Sequence, residues 1–190
     1  MPASHGAPLR DFGETRLDTL QRHAFEYFLQ ETNSANGLVA DTSHAGSAAS
    51  IAATGFGLTA YPVGVTRGWI RRADAVERTL ALLRFLHDGP QGPEPDTTGY
   101  KGFYYHFLDM STGRRAGRCE LSTVDTTFLL AGVLTAAAFF DGECEEEEEL
   151  RRFADALYRR AQWTWACNGG ATVTHGWTPE GGFLPYRWEG

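Results

Sequence analysis

The 190-residue chain is long enough to bury a hydrophobic core, and its 42% apolar and 13% aromatic content excludes a disordered tail. Its 17 basic and 24 acidic residues give a net charge of −7, which repels a phosphate backbone and excludes nucleic acid as the expected partner. Three scattered cysteines and unpaired histidines fit neither a disulfide scaffold nor a local metal site, so we expect no metal and no cofactor.

The N-terminal residues lack the apolar core of a signal peptide, and the most apolar later stretch, residues 121–140, carries Asp125 and several threonines. As it stands, the sequence is therefore expected to be cytoplasmic and without a membrane partner, or periplasmic if the natural N-terminus lies further upstream. Residues 1–13 predict a flexible lead, and residues 14–190 predict one domain.

Apolar residues at helical spacing predict five helices along this domain. The second is expected to stop at Pro62, and the fifth begins in a glutamate run, residues 145–149, that favours a solvated first turn. A loop rich in proline and glycine separates the third helix from a predicted strand over residues 100–108. The predicted helices cover residues 14–31, 47–61, 69–87, 122–140 and 145–168.

Five helices joined by long loops are typical of a helical array, in which inner and outer helices cover one another's apolar faces. Such an array normally needs more members to bury every apolar face. The sequence therefore predicts an all-α fold with a short β-hairpin in a loop, of which this chain is a fragment.

The strongest candidate for chemistry is the segment around Glu120 and Asp125, two carboxylates at the mouth of an apolar helix. Cleavage of a glycosidic bond needs two carboxyl groups, one to protonate the leaving oxygen and one to activate water or attack the sugar. Ser122 and Asp125 also fit a capping box, which would give Asp125 a purely structural role. The sequence leaves both roles open for Asp125, which lies one turn before the apolar pair Phe128 and Leu129.

An aromatic segment follows the long loop and contains three candidate sugar-binding residues, Tyr104, Tyr105 and His106. In a continuous strand, Tyr104 and His106 would share one face and Tyr105 would lie on the other. One face could then pack and the other could bind a sugar ring. A packed aromatic hairpin is the alternative, because aromatic side chains dominate protein cores.

A second aromatic segment, residues 177–190, combines glycine with tryptophan and tyrosine, as binding loops often do. A loop that only covers the core is the alternative. The candidate substrate-binding residues here are Trp177, Tyr186, Arg187, Trp188 and Glu189.

These segments together resemble the glucoamylase-like family of bacterial α/α-barrel proteins, which includes endo-β-1,2-glucanases and a domain of cyclic β-1,2-glucan synthases. The resemblance covers the chain from residue 14 onward. It rests on the motifs SIAATGFGL (50–58), GWI (68–70), GFYYHF (102–107), ELSTVDT (120–126), GW (176–177) and GFLPYRW (182–188).

The resemblance implies an (α/α)6 barrel, of which this chain is the N-terminal half, and hydrolysis of β-linked glucans with inversion. It places the catalytic role on Asp125 and Glu120, since an acidic residue at or beside Asp125 faces the cleft in the family. A further family glutamate is expected soon after Trp188, beyond Gly190. The missing half, or a second polypeptide, would complete the barrel.

Two other functions remain open at this point. The chain could be a sugar-binding half-domain without chemistry. It could also be an α/α-barrel lyase or epimerase in which Tyr104 or His106 serves as the base.

Overall fold

The computed structural model describes the backbone of residues 11–189 and the side chains of residues 16–189. The predicted lead lies outside this part except for its last three residues, which belong to the first helix. Within this described part, five long helices are present, as predicted, with a sixth short one. They are α1 (Asp11–Gln30), α2 (Ile51–Thr66), α3 (Arg72–Asp88), α4 (Thr123–Phe139), α5 (Glu145–Arg160) and α6 (Trp163–Ala166).

Short strands in the connecting loops form small antiparallel sheets. Strand β1 pairs with β4, β2 pairs with β3, and β5, β6 and β7 form the largest sheet. The strands are β1 (Ala49–Ser50), β2 (Gly99–Tyr100), β3 (Phe103–Tyr104), β4 (Phe107–Leu108), β5 (Leu121–Ser122), β6 (Gly176–Thr178) and β7 (Gly182–Phe183).

The single strand predicted over residues 100–108 is wrong, because the chain turns back on itself near its start. Lys101 and Gly102 adopt left-handed backbone angles, with φ of 57° and 81°, and this turn pairs Tyr100 with Phe103. The predicted alternation of side chains is lost, and Tyr104 and Tyr105 are both buried.

Helices α2 and α4 pack directly against each other, while α3 and α5 form a second layer and α1 packs on α2. The two inner helices approach closely because glycine stands at their crossing. A Cβ atom at Gly55 would lie only 2.5 Å from the carbonyl oxygen of Phe128, and one at Gly132 would meet the carbonyl of Gly55. Leu58, Leu129 and their neighbours fill the core around this contact.

Helix α2 continues through Pro62 to Thr66, so the predicted stop at Pro62 is wrong. Proline removes one backbone hydrogen bond and typically costs about 3 kcal/mol inside a helix. Burial of this helix against α4 outweighs that loss, and Pro62 is itself buried.

The fifth predicted helix ends earlier than expected, at Arg160. After the helix, the backbone N–H of Gln162 donates to the carbonyl oxygen of Lys101 at 3.0 Å. The chain then forms the short helix α6. The glutamate run at the start of α5 is not entirely solvated. Glu147 is buried and accepts two hydrogen bonds from Arg72 of α3, both at 2.7 Å.

Within residues 11–189, the helices are all too short or too polar to cross a membrane.

Candidate active site

The inner helices α2 and α4 begin in the same way. A two-residue strand leads into each helix, and a serine caps its first turn: Ser50 Oγ accepts from the Ala53 N–H, and Ser122 Oγ accepts from the Asp125 N–H. Both helices thus present their N-terminal, partly positive ends to the loops that hold the candidate residues.

His106 lies between these two helix starts. Its backbone N–H donates to the carbonyl oxygen of Glu120 at 2.9 Å, and its own carbonyl accepts from the N–H of Ile51 at 3.2 Å. The imidazole stacks on Phe107 with ring centres 4.0 Å apart. Backbone bonds on both sides and the stacked ring therefore define where the imidazole lies.

The imidazole of His106 bridges the two candidate carboxylates. Its Nδ1 lies 3.0 Å from Glu120 Oε1, and its Nε2 lies 3.7 Å from Asp125 Oδ2. Glu120 is about 30% exposed, and the Asp125 side chain only 12%. The sequence named all three residues, and the fold brings them together at the mouth of α4.

Asp125 does not depend on its carboxylate to cap α4. The capping bond runs from its backbone N–H to Ser122 Oγ at 3.2 Å, while the carboxylate faces His106. Asp125 thus lies in the first turn of the helix, where its backbone N–H is capped by Ser122, and has its acidic group directed to the candidate site.

An aromatic stack adjoins the same turn of α4. The rings of Trp188 and His175 are stacked with centres 4.0 Å apart, and Tyr186 lies 5.8 Å from His175. Trp188 Nε1 donates to Thr123 Oγ1 at 3.0 Å. Trp188 is 45% exposed and Tyr186 66%, so both rings offer apolar surface to a ligand.

Sequence reasoning missed His175, although it stands directly before the Gly176–Trp177 motif. The sequence evidence for His175 as a site residue was weak, because an isolated histidine has no spacing pattern to identify it. A small cavity of about 220 Å³ borders the stack and is lined by Thr123, Val124, Thr127, Trp163, Val173 and Trp188.

Three other predicted aromatic contacts lie in the core instead. Tyr104 is buried, its hydroxyl donates to the Leu86 carbonyl at 3.1 Å, and burial raises the pKa of its phenol to about 12. Tyr105 is fully buried beneath the guanidinium of Arg115. Trp177 is half-buried and packs against other aromatic rings, those of Tyr100 and Trp165.

Arg187 uses its guanidinium to hold a loop, since it donates to the carbonyl oxygens of Cys167 at 2.9 Å and Thr172 at 2.6 Å. These bonds fix the turn that precedes β6. Glu189 is exposed at the end of the described chain.

Within the described residues, His, Cys, Asp and Glu side chains form no group of three or more suited to holding a metal ion.

Comparison with known proteins gives relatives that share one kind of fold. An exo-β-1,2-glucooligosaccharide sophorohydrolase from Parabacteroides distasonis is 29% identical over 83% of this chain. A candidate glucoamylase from Bacteroides uniformis superposes with a TM-score of 0.81 and 28% identity over 93% of the chain. The chain is thus similar in sequence and in fold to a glucoamylase-like protein. A β-1,2-glucanase structure from Parabacteroides distasonis gives a TM-score of 0.79 with 26% identity over 94% of the chain.

The chain spans only part of these glucoamylase-like relatives: 21% of the sophorohydrolase, 42% of the Bacteroides uniformis protein and 25% of the β-1,2-glucanase. No family model matches it. The suspected relationship to glucoamylase-like proteins is confirmed by these relatives, and the helical fold that it implied is the one observed.

Proposed function

We propose that this chain supplies one wall of a glycoside hydrolase cleft for β-linked glucans, with β-1,2-glucan as the first choice. The observation that carries the proposal is the pair of carboxylates on either side of His106 at the start of α4, whose first turn also holds the exposed Trp188–His175 stack. The sophorohydrolase and the β-1,2-glucanase among the relatives, both named for β-1,2-linked substrates, support the choice of linkage.

Hydrolysis of a glycosidic bond requires one group that donates a proton and one group that accepts a proton. A carboxylic acid protonates the glycosidic oxygen as the bond to the anomeric carbon breaks, while a carboxylate accepts a proton from the water that attacks that carbon. Asp125 and Glu120 are the proposed acidic groups, and His106 would orient Glu120 through the hydrogen bond at Nδ1 while its Nε2 lies 3.7 Å from Asp125.

The sugar would stack on the exposed rings of Trp188 and Tyr186, because pyranose rings offer apolar C–H faces to aromatic surfaces. Arg187 would support this surface by holding the adjoining loop, and Tyr104, Tyr105 and Trp177 would support the site from within the packed interior. Glu189 would meet the substrate from the exposed edge.

We also propose that the described helices are half of an (α/α)6 barrel. Phe56 of α2 and Phe128 of α4 contact each other with ring centres 5.2 Å apart, yet both remain more than 40% exposed. Further helices, from this polypeptide or a second one, would cover this apolar strip and close the cleft.

Hydrolysis is favoured over a lyase or epimerase reaction with Tyr104 as its base by the state of that phenol. The Tyr104 phenol is buried, hydrogen-bonded to a backbone carbonyl and has a pKa raised to about 12, so it is unsuited to abstract a proton from a sugar. A half-domain that only binds sugar would not need two carboxylates on one imidazole.

The test is product analysis of β-1,2-glucan incubated with the chain extended through its natural downstream sequence. We expect release of short β-1,2-linked oligosaccharides, little product from β-1,3- or β-1,4-glucans, and a loss of about 10² to 10⁴ in rate for Asp125→Asn. Binding without hydrolysis would favour the sugar-binding half-domain, and unsaturated sugar products would favour a lyase; either result would refute the proposal.

A further inference from the structure

Arg115 is a charged side chain with almost no exposure, 1%, and it lies directly behind the candidate site. Its guanidinium donates to both carboxylate oxygens of Glu180, at 2.8 and 3.1 Å. Its Nε donates to the carbonyl oxygen of Cys119 at 2.6 Å, and the group lies 4.9 Å above the ring of Tyr105. All these contacts are made by one planar group.

Two of these contacts fall on the chain neighbours of site residues. Cys119 directly precedes Glu120, and Tyr105 directly precedes His106. The third partner, Glu180, lies in the turn between β6 and β7, and β6 pairs with β5 next to Glu120. Arg115 therefore connects three segments that meet at the Glu120–His106 hydrogen bond.

We propose that Arg115 and Glu180 are positioning residues that set the geometry of the Glu120–His106 pair. The expected effect of these residues on catalytic rate rests on the function proposed above, whereas their effect on the geometry of the Glu120–His106 pair does not. Neither residue touches the carboxylates or the imidazole directly, so both act through the backbone on either side of the pair.

The shape of the guanidinium is essential to this role. Its N–H groups point in fixed directions in one plane, which lets it bind a carboxylate with two bonds while a third bond reaches a carbonyl and its face covers an aromatic ring. A lysine ammonium keeps the charge but cannot make this set of contacts. Arg115→Lys is therefore a sharper test than removal of the side chain.

The chain offers a control in Arg72, which makes the same two-bond pairing with Glu147 but with the burial reversed, since the Arg72 side chain is 39% exposed and that of Glu147 only 6%. Arg72 also donates to the carbonyl of Phe139, at the far end of α4 from the site. That helix has 17 residues and is roughly 25 Å long. Arg72→Lys should disturb stability without moving the Glu120–His106 pair.

The primary measurement is nuclear magnetic resonance of the histidine ring nitrogens in the extended chain, with the His106 signals assigned from a His106→Gln variant. We expect Arg115→Lys and, to a smaller extent, Glu180→Gln to change the His106 ring signals, because the hydrogen bond to Glu120 is altered. Arg72→Lys should leave them unchanged. Glu180 is partly exposed, so Glu180→Gln provides a folded variant if Arg115→Lys does not fold.

Kinetics on β-1,2-glucan with the extended chain give the second readout. We expect Arg115→Lys to lower kcat by about 10- to 100-fold, with little change in KM, because a small misplacement of a reacting group is sufficient for such a loss. If the wild type shows no hydrolysis, the proposed function fails while the His106 signals still decide the positioning role. Unchanged His106 signals in both Arg115→Lys and Glu180→Gln would overturn the inference.

Discussion

At the residue scale, neighbouring groups in one helical turn of the candidate site have separate roles. Ser122 supplies the oxygen that caps α4, and this leaves the Asp125 carboxylate for His106. The sequence could not separate these roles, because a capping box and an acidic site share the same spacing. The structure separates them, because the backbone N–H of Asp125, and not its carboxylate, hydrogen-bonds to Ser122 Oγ.

This division predicts different results for two substitutions in that turn. Ser122→Ala should lower the free energy of unfolding by about 1 kcal/mol, since the capping oxygen is lost. Asp125→Asn keeps the backbone N–H and should lower stability only by about 0.3–1 kcal/mol through the helix dipole, while hydrolysis by the extended chain is lost. Chemical denaturation and product analysis measure the two effects. Retained hydrolysis in Asp125→Asn would contradict the catalytic role and show that Asp125 has only a structural one.

At the scale of elements, α3 and α5 are joined by a half-buried ion pair between Arg72 and Glu147, a member of the glutamate run. Glu147 accepts from Arg72 and from the backbone N–H of Gly142, and the bonds from Arg72 are the main reason that its pKa lies below the ordinary value. Glu145, Glu146 and Glu148 are exposed, whereas Glu149 makes a second pair, with Arg84 of α3. Two members of the run therefore hold the two helices together.

We expect Glu147→Gln to lower the free energy of unfolding at pH 7 by about 1.5–3 kcal/mol, because hydrogen bonds to a charged group are lost. Since folding lowers the pKa of Glu147, its contribution is present at neutral pH and is lost as the pH falls through the folded-state pKa. The difference from wild type should thus shrink below about pH 4. Denaturation at several pH values measures it, and Glu146→Gln, the same change at an exposed position, should have little effect at any pH.

The sequence predicted the existence of all five long helices because their apolar stripes are strong local signals. It failed where contacts distant in sequence decide the outcome. Pro62 stays helical because α2 is buried on α4, and the aromatic strand breaks at the turn of Lys101 and Gly102. At the site, local motifs identified Glu120, Asp125 and His106, whereas the burial of Tyr104 and the loop contacts of Arg187 depend on tertiary packing.

At the scale of the whole molecule, the described helices leave an apolar strip on the inner pair exposed. Phe56 and Phe128 form the centre of this strip, and Val63 and Leu134 extend it along the same two helices. A monomeric protein rarely leaves such a contiguous patch uncovered. The exposed strip is the physical basis for the proposal that further helices complete the barrel.

Expressed alone, residues 1–190 should therefore self-associate, dissolve poorly and show no turnover of β-1,2-glucan. Substituting both Phe56→Ser and Phe128→Ser should reduce the association, because it removes the centre of the apolar strip. Tyr158→Ser, at an equally exposed aromatic residue of α5, serves as the control and should not. Size-exclusion chromatography measures the effect. A monodisperse wild-type monomer with the turnover of a full-length relative would contradict the half-barrel proposal.

The matching starts of α2 and α4 extend beyond their serine caps to a threonine four residues later. Thr54 Oγ1 accepts from the backbone N–H of Val39 at 3.1 Å, and Thr126 Oγ1 accepts from that of Tyr104 at 3.0 Å. All four residues are buried, so neither amide can meet water until the first turn of its helix unwinds. Hydrogen exchange in deuterated water should consequently give Val39 and Tyr104, two amides outside the long helices, protection comparable to that of the helical core. Thr54→Val and Thr126→Val should each accelerate exchange at the corresponding amide only.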